Sequence, residues 1–341
     1  MVRVMNNSNL ENIAKLMVAP SKGILAADES TGTIKKRLDS IGVDSNEKNR
    51  RTYREMLFTA PEIEKYISAV ILFDETLRQD SSSGKKFTKI LEEKNIIPGI
   101  KVDKGTWPCP GFNEYPITQG LDLLKQRCDE YYELGAKFTK WRAVIKIINS
   151  FTPNEVIEAN ALALALYAST AQESGLVPIV EPEVLMDGNH EIDTCQKVTE
   201  TTLRIVFDKL NQFNVNLNAI VLKPNMIVPG SDSDQDINYS EVADKTLYIL
   251  SACVPKSVPG VAFLSGGQTE IQATENLNYM NQSTNLPWEV TFSYGRALQQ
   301  TALNKWGGKD SNIFNSQKAF IHRAKMNSLA HEGKYISDLE T

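Results

Sequence analysis

Residues 217–226 read LNAIVLKPNM, and inside them the unbroken apolar run AIVL ends on Lys223 and Pro224. So apolar a stretch fits a strand covered on both faces, and the proline has no N–H with which to extend a ladder. Strand alternation then puts Ala219, Val221 and Lys223 on one side and Ile220 and Leu222 on the other. The chain therefore aims an ammonium group off the end of a buried strand. What surrounds that lysine depends on what the rest of the sequence builds.

The same pattern recurs along the chain. Apolar runs begin at Gly23 (GILAADES), Ala69 (AVILFDE), Ile96 (IIPGIKVD), Ala136 (AKFTKWRAVIKI), Leu176 (LVPIVEPEV), Leu217 (LNAIVLKPNM), Gly260 (GVAFLSGG) and Trp288 (WEVTFSYG). Helix-like stretches separate them, at 117–135, 153–175, 192–213 and 241–251. Eight such units predict a closed parallel (β/α)8 barrel, with an open doubly wound sheet as the alternative. No glycine-rich nucleotide loop favours the open sheet, since Gly84-Lys85 lacks the glycine five residues earlier. No low-complexity linker divides the chain, so the expectation is one domain over residues 1–341, with a short N-terminal helical extension and a short C-terminal tail.

Composition narrows the function classes. A chain of 341 residues with 41% apolar content can bury a large core, and a net charge of −5 argues against a nucleic-acid surface. Cys109, Cys128, Cys195 and Cys253 are scattered without metal-finger or disulfide spacing, which fits a reducing cytoplasm. The opening MVRVMNNSNLENIAKL has no secretory pattern, and the longest apolar run, 161–168, is too short to span a bilayer. A soluble protein with no membrane partner is expected, and the Asn-x-Ser matches at Asn6, Asn238 and Asn281 are read as chance.

In a barrel, the C-terminal ends of the strands form the catalytic rim. That rim gathers Asp28, Ser30, Lys101, Lys140, Arg142, Glu181, Glu183, Lys223 and Ser265, with Arg296 just after the last strand. Among them, five cations face three carboxylates, so an acidic protein carries a cationic pocket suited to an anionic small molecule. The Ser265-Gly266-Gly267 turn before a helical segment, and Gly295-Arg296 after the final strand, offer backbone N–H groups and a guanidinium to a phosphate. Lys223 has two readings: an ion-pair partner of Glu181 or Glu183, or a nucleophile. Attack on a carbonyl needs the neutral amine, and burial beside a second cation such as Lys140 favours that form. The three histidines, His190, His322 and His331, lack ligand spacing, and Asp187, His190 and Asp193 lie in a loop-like segment read as solvated, so neither metal nor cofactor is expected.

Seven segments, GILAADESTGTIKKRL, GIKVDKG, KFTKWRAVIKI, IVEPEVLMDGNH, VLKPNMIVPG, FLSGGQTE and TFSYGRALQ, run in order from about residue 10 to Tyr335. Together they closely resemble the class I fructose-1,6-bisphosphate aldolases of the eukaryotic type. The resemblance implies reversible cleavage of fructose 1,6-bisphosphate to dihydroxyacetone phosphate and glyceraldehyde 3-phosphate, without a metal, in glycolysis and gluconeogenesis. It makes Lys223 the Schiff-base lysine, Glu181 the acid/base for carbinolamine dehydration, and Asp28 the handler of the C4 hydroxyl proton. Lys140 supports charge beside them, and Glu183 is a carboxylate interacting with these lysines. Ser265, Gly266, Gly267, Ser293, Gly295 and Arg296 carry over to the C1-phosphate. Ser30, Thr33, Arg37, Lys101 and Arg142 carry over to the sugar hydroxyls and the second phosphate, with Thr33 where many relatives have serine.

A cytoplasmic homotetramer is implied as well. Relatives have a longer tail ending in tyrosine, whereas this sequence closes on GKYISDLET. Intact cleavage with slower enamine protonation is therefore expected, to be read as deuterium exchange into dihydroxyacetone phosphate slower than that of tailed relatives. Two other readings stay open: a different Schiff-base barrel lyase, for which one strong phosphate subsite would suffice, and a non-catalytic scaffold with a cytoskeletal partner. A scaffold would have no need to keep Lys223, Glu181, Asp28 and Lys140 together.

Overall fold

The computed structural model describes residues 7–340, so the Asn-x-Ser match at Asn6 and the final Thr341 lie outside the described residues. Among the described residues there are ten strands: β1 Gly23–Ala27, β2 Ile67–Leu72, β3 Ile97–Lys101, β4 Thr106–Cys109, β5 Phe112–Thr118, β6 Phe138–Ile145, β7 Val177–Val184, β8 Val221–Leu222, β9 Gly260–Phe263 and β10 Glu289–Tyr294. Eight of them close into a parallel barrel in the order β1-β10-β9-β8-β7-β6-β3-β2. Each corresponds to one of the eight apolar runs. β4 and β5 form an antiparallel hairpin inserted between β3 and β6.

Alternation sorts the strand residues into two layers. Ile24, Ala26, Ala69, Ile71, Phe138, Ile179, Val221 and Ala262 fill the barrel interior. Their neighbours Leu25, Val70, Ile100, Trp141, Val180, Leu222, Val261 and Phe263 belong to the outer core shared with the helices. Burial on both faces is why these strands read as continuous apolar runs. Helix Asn7–Met17 is more than an extension, because its Leu10, Ala14 and Met17 join the interior cluster and plug the N-terminal mouth. Phe138 fills the centre against β3, where a Cβ on Gly99 would come within 2.3 Å of its ring.

Two expected boundaries are corrected. The helix anticipated from 117 starts at Leu124, because Ile117 and Thr118 complete the hairpin by pairing with Trp107 and Thr106. Residues Leu217–Ala219 form a 3-10 turn, leaving β8 only two residues long. The Lys223 N–H still donates to Val180 O at 2.8 Å, so the lysine is held at the end of β8 before Pro224 breaks off.

Candidate active site

Interior parity continues past the apolar layer into charge. Beyond Ala26 comes Asp28, beyond Phe138 come Lys140 and Arg142, beyond Ile179 come Glu181 and Glu183, and beyond Val221 comes Lys223. Register sets Lys101 beside Lys140 and Arg142 beside Glu181. These side chains line a cavity of about 520 Å³ at the C-terminal mouth, with seven cations and four carboxylates around it. The excess of positive charge is the field an anionic substrate needs.

At the cavity floor, Lys223 Nζ lies 3.0 Å from Glu181 Oε1, and Lys140 Nζ sits 3.0 Å from Glu181 Oε2 and 2.6 Å from Asp28 Oδ2. Lys223, Glu181 and Lys140 are all buried. Glu181 Oε2 has no aligned hydrogen bond, so its contact with Lys140 is an ion–ion approach that leaves a lone pair free to take a proton. Burial alone pushes the Asp28 carboxyl up, yet the Lys140, Lys223 and Lys101 ammoniums outweigh it and hold it well below the usual carboxylate range. Burial likewise raises Glu181, and Lys140, Lys223 and Arg142 reverse the sign to a net lowering. For Lys140, burial opposes the charge, but Asp28, Glu181 and Asp103 raise its pKa overall. The resting cluster therefore holds ionised carboxylates around a protonated Lys140.

These shifts fix a pH dependence of stability. Asp28 and Glu181 are lowered on folding, so their contribution is complete above their unfolded values of about 3.9 and 4.3 and is lost as pH falls through the folded ones. Lys140 is raised, so its contribution is complete below about 10.4 and is lost as pH climbs through its folded value. Urea unfolding of the wild type and Asp28→Asn between pH 3 and 6 should show the stability gap narrowing below about pH 4. A gap independent of pH would contradict this electrostatic picture.

Two helix N-termini open on the cavity rim. Helix Thr31–Asp39 follows Ser30, and helix Arg296–Trp306 follows Gly295; neither first turn receives a side-chain cap. Their uncapped N–H groups and positive dipole ends make two anion sites. On one side, Ser30 and Thr33 share a hydroxyl hydrogen bond of 3.1 Å, so the threonine keeps the oxygen in place. Arg37 lies 2.6 Å from Glu29, and Lys101 lies 3.2 Å from Asp103. On the other side, Arg296 donates to Gly266 O at 2.5 Å, and the buried Ser293 Oγ has no hydrogen-bond partner among the described residues.

Four expectations need amending here. Leu264, not Ser265, continues the interior parity of β9; Ser265 reaches the cavity because the chain turns after the strand. Gly267 does not line the cavity, and its N–H donates to Met186 Sδ at 3.0 Å. Glu183 pairs with Arg142 through a direct Nε–Oε2 contact instead of with the lysines. His190 is buried, not solvated, and neither ring nitrogen has a hydrogen-bond partner among the described residues.

The family model described as fructose-bisphosphate aldolase class-I matches residues 9–341. The chain belongs to the class I fructose-bisphosphate aldolases. It is thus a metal-independent lyase that reversibly cleaves fructose 1,6-bisphosphate to dihydroxyacetone phosphate and glyceraldehyde 3-phosphate through a lysine Schiff base. A probable class 1 aldolase of Xylella fastidiosa is 50% identical over 332 residues, covering 97% of this chain and 99% of that protein. Cytosolic fructose-bisphosphate aldolase 4 of Arabidopsis thaliana is 53% identical over 322 residues, covering 94% of this chain and 82% of its own length. Among solved structures, the aldolase of Plasmodium falciparum, in complex with TRAP and a small-molecule inhibitor, superposes with a TM-score of 0.95 at 46% identity. That match covers 97% of this chain and 96% of the other.

The aldolase cavity also contains residues that sequence reasoning missed. Glu29, Lys36, Ser40 and Gln300 line it alongside the expected set. Lys36 and Ser40 were legible in principle, since helical spacing from Thr33 and Arg37 sets them on the face turned to the mouth. Glu29 carried no such signal. Its odd parity on β1 points it away from the interior, and its role as the carboxylate partner of Arg37 emerges only when the following helix folds back.

Proposed function

We propose that Lys223 is the amine that forms the Schiff base and that Glu181 carries its protons. The observation that supports this most directly is the Lys223–Glu181–Lys140–Asp28 chain of contacts at 2.6–3.0 Å on the cavity floor. Ionised Glu181 takes a proton from Lys223, and the freed amine adds to the ketose carbonyl. The same carboxyl then returns a proton to the carbinolamine hydroxyl, which leaves as water. The protonated imine accepts the electron pair of the breaking C3–C4 bond while the C4 hydroxyl proton passes to Asp28. In the resting cluster Asp28 is a weak base because Lys140 holds it, so a substrate oxygen drawing Lys140 away restores its basicity when cleavage needs it. Glu183 acts one step removed, fixing the Arg142 guanidinium toward the substrate.

The two uncapped helix ends support a bisphosphate with one phosphate at each. Ser265, Gly266, Ser293, Gly295 and Arg296 hold the C1-phosphate, with Gly267 adding its N–H only once the Met186 sulfur releases it, and Ser30, Thr33, Arg37, Lys101 and Arg142 serve the hydroxyls and the other phosphate. Losing one charge-assisted contact costs about 1.5–3 kcal/mol. Arg296→Ala should therefore raise KM for both fructose 1,6-bisphosphate and fructose 1-phosphate by roughly tenfold to a hundredfold. Release of triose phosphate in a coupled assay reads this, and an unchanged KM would remove Arg296 from the subsite. We further infer one domain, a homotetrameric assembly and a cytosolic location. The last rests on the cytosolic plant relatives, and among the described residues no helix is long and apolar enough to cross a membrane. Sedimentation of the purified chain tests the assembly.

A further inference from the structure

The loops after β7 and β8 are zipped together by backbone bonds, Gly230 N–H to His190 O at 2.7 Å, Ser231 N–H to Met186 O at 2.6 Å and Asp232 N–H to Gly188 O at 2.9 Å. Met186 is thus fixed at its backbone, while its half-buried side chain reaches across to the loop after β9. There its sulfur accepts the Gly267 N–H at 3.0 Å, and a Cβ built on Gly267 would meet that sulfur at 2.7 Å. The thioether therefore lies over the outer half of the Ser265–Gly267 turn.

The turn's other contacts hold it in shape without using this donor. Gly266 adopts a φ of +55°, the Gln268 N–H donates to Ser265 O at 3.1 Å, and Arg296 bonds to Gly266 O. The helix that follows is closed by a Thr269/Gln272 capping box, so its first-turn donors are partly spent within the chain. Gly267 N–H, one residue beyond the cavity-lining Gly266, is therefore a donor whose partner is a weak acceptor on a side chain with three rotatable bonds. A phosphate oxygen is a far stronger acceptor for the same N–H.

We propose that Met186 is a displaceable occupant of the edge of the C1-phosphate subsite: its sulfur holds the Gly267 N–H just outside the cavity lining until a phosphate takes it, and the strength of that hold sets phosphate affinity. This rests on the reading that the Ser265–Gly267 turn and Arg296 bind phosphate. Met186 is a specificity residue, acting on binding and not on bond cleavage. Its acceptor strength should govern KM and leave kcat alone.

The test varies acceptor strength at nearly constant size. Met186→Leu removes the acceptor, and Met186→Gln replaces it with a strong carbonyl acceptor. KM for fructose 1,6-bisphosphate and Ki for inorganic phosphate are measured on the full-length enzyme, with kcat alongside. The expected order of both constants is Leu below Met below Gln, each step about two- to fivefold, with kcat within twofold throughout. Any other order overturns the proposal. Arg296→Ala, assayed in parallel, separates the two layers: a raised Ki there with a flat Met186 series sinks the displaceable occupant alone, whereas an unchanged Ki there sinks the phosphate reading beneath it.

Discussion

Lys223→Met is expected to abolish cleavage, with kcat for fructose 1,6-bisphosphate falling by about 10⁵-fold or more, the scale that removal of the proposed covalent nucleophile implies. Methionine keeps the length and packing of the stem in a position that is 3% exposed, so the loss is chemical, not structural. The substitution leaves Glu181 paired with Lys140, which keeps its carboxylate compensated. Thermal unfolding should therefore move little. A variant that retained even one per cent of cleavage would mean that the imine forms elsewhere.

Glu181→Gln should have the second-largest effect, a fall in kcat of about 10²- to 10⁴-fold, the usual contribution of a positioned acid/base, the role proposed for Glu181. The amide keeps the size of the side chain and can still contact the ammonium groups, but it cannot carry a proton between the Lys223 amine and the carbinolamine hydroxyl. Imine formation and dehydration should both slow, so less trapped adduct should accumulate per unit time at Lys223. KM should change much less than kcat, because Glu181 lies beneath the phosphate subsites, not within either of them. A variant with raised KM and unaltered kcat would recast Glu181 as a binding residue.

Much of this was legible in the sequence, for a physical reason. Strands buried on both faces print continuous apolar runs, and period-two alternation then says which charges share the interior. That logic placed Asp28, Lys101, Lys140, Arg142, Glu181 and Lys223 in one cavity. It failed where the chain leaves the strand. Ser265 sits on the wrong parity and enters through a turn, and Glu29 is recruited by Arg37 after the helix folds back.

Trp107 and Ile117 belong to a hairpin whose exposed, proline-containing strands show little apolar alternation, so the segment read as the start of a helix. Which carboxylate pairs with which cation was also hidden. Glu183 and Glu181 share one face of β7, and only their depth along the strand gives Glu181 to the lysines and Glu183 to Arg142. The contact between Met186 and Gly267 joins two loops far apart in sequence, and no periodicity marks such a pair.

The proposed mechanism turns on Lys223 being the amine that becomes an imine. The most direct measurement is borohydride reduction of the enzyme incubated with dihydroxyacetone phosphate, followed by peptide mass mapping. A single substrate-derived adduct is expected on Lys223, absent from Lys223→Met. An adduct on Lys140 or Lys101, or none on the folded enzyme, would contradict it.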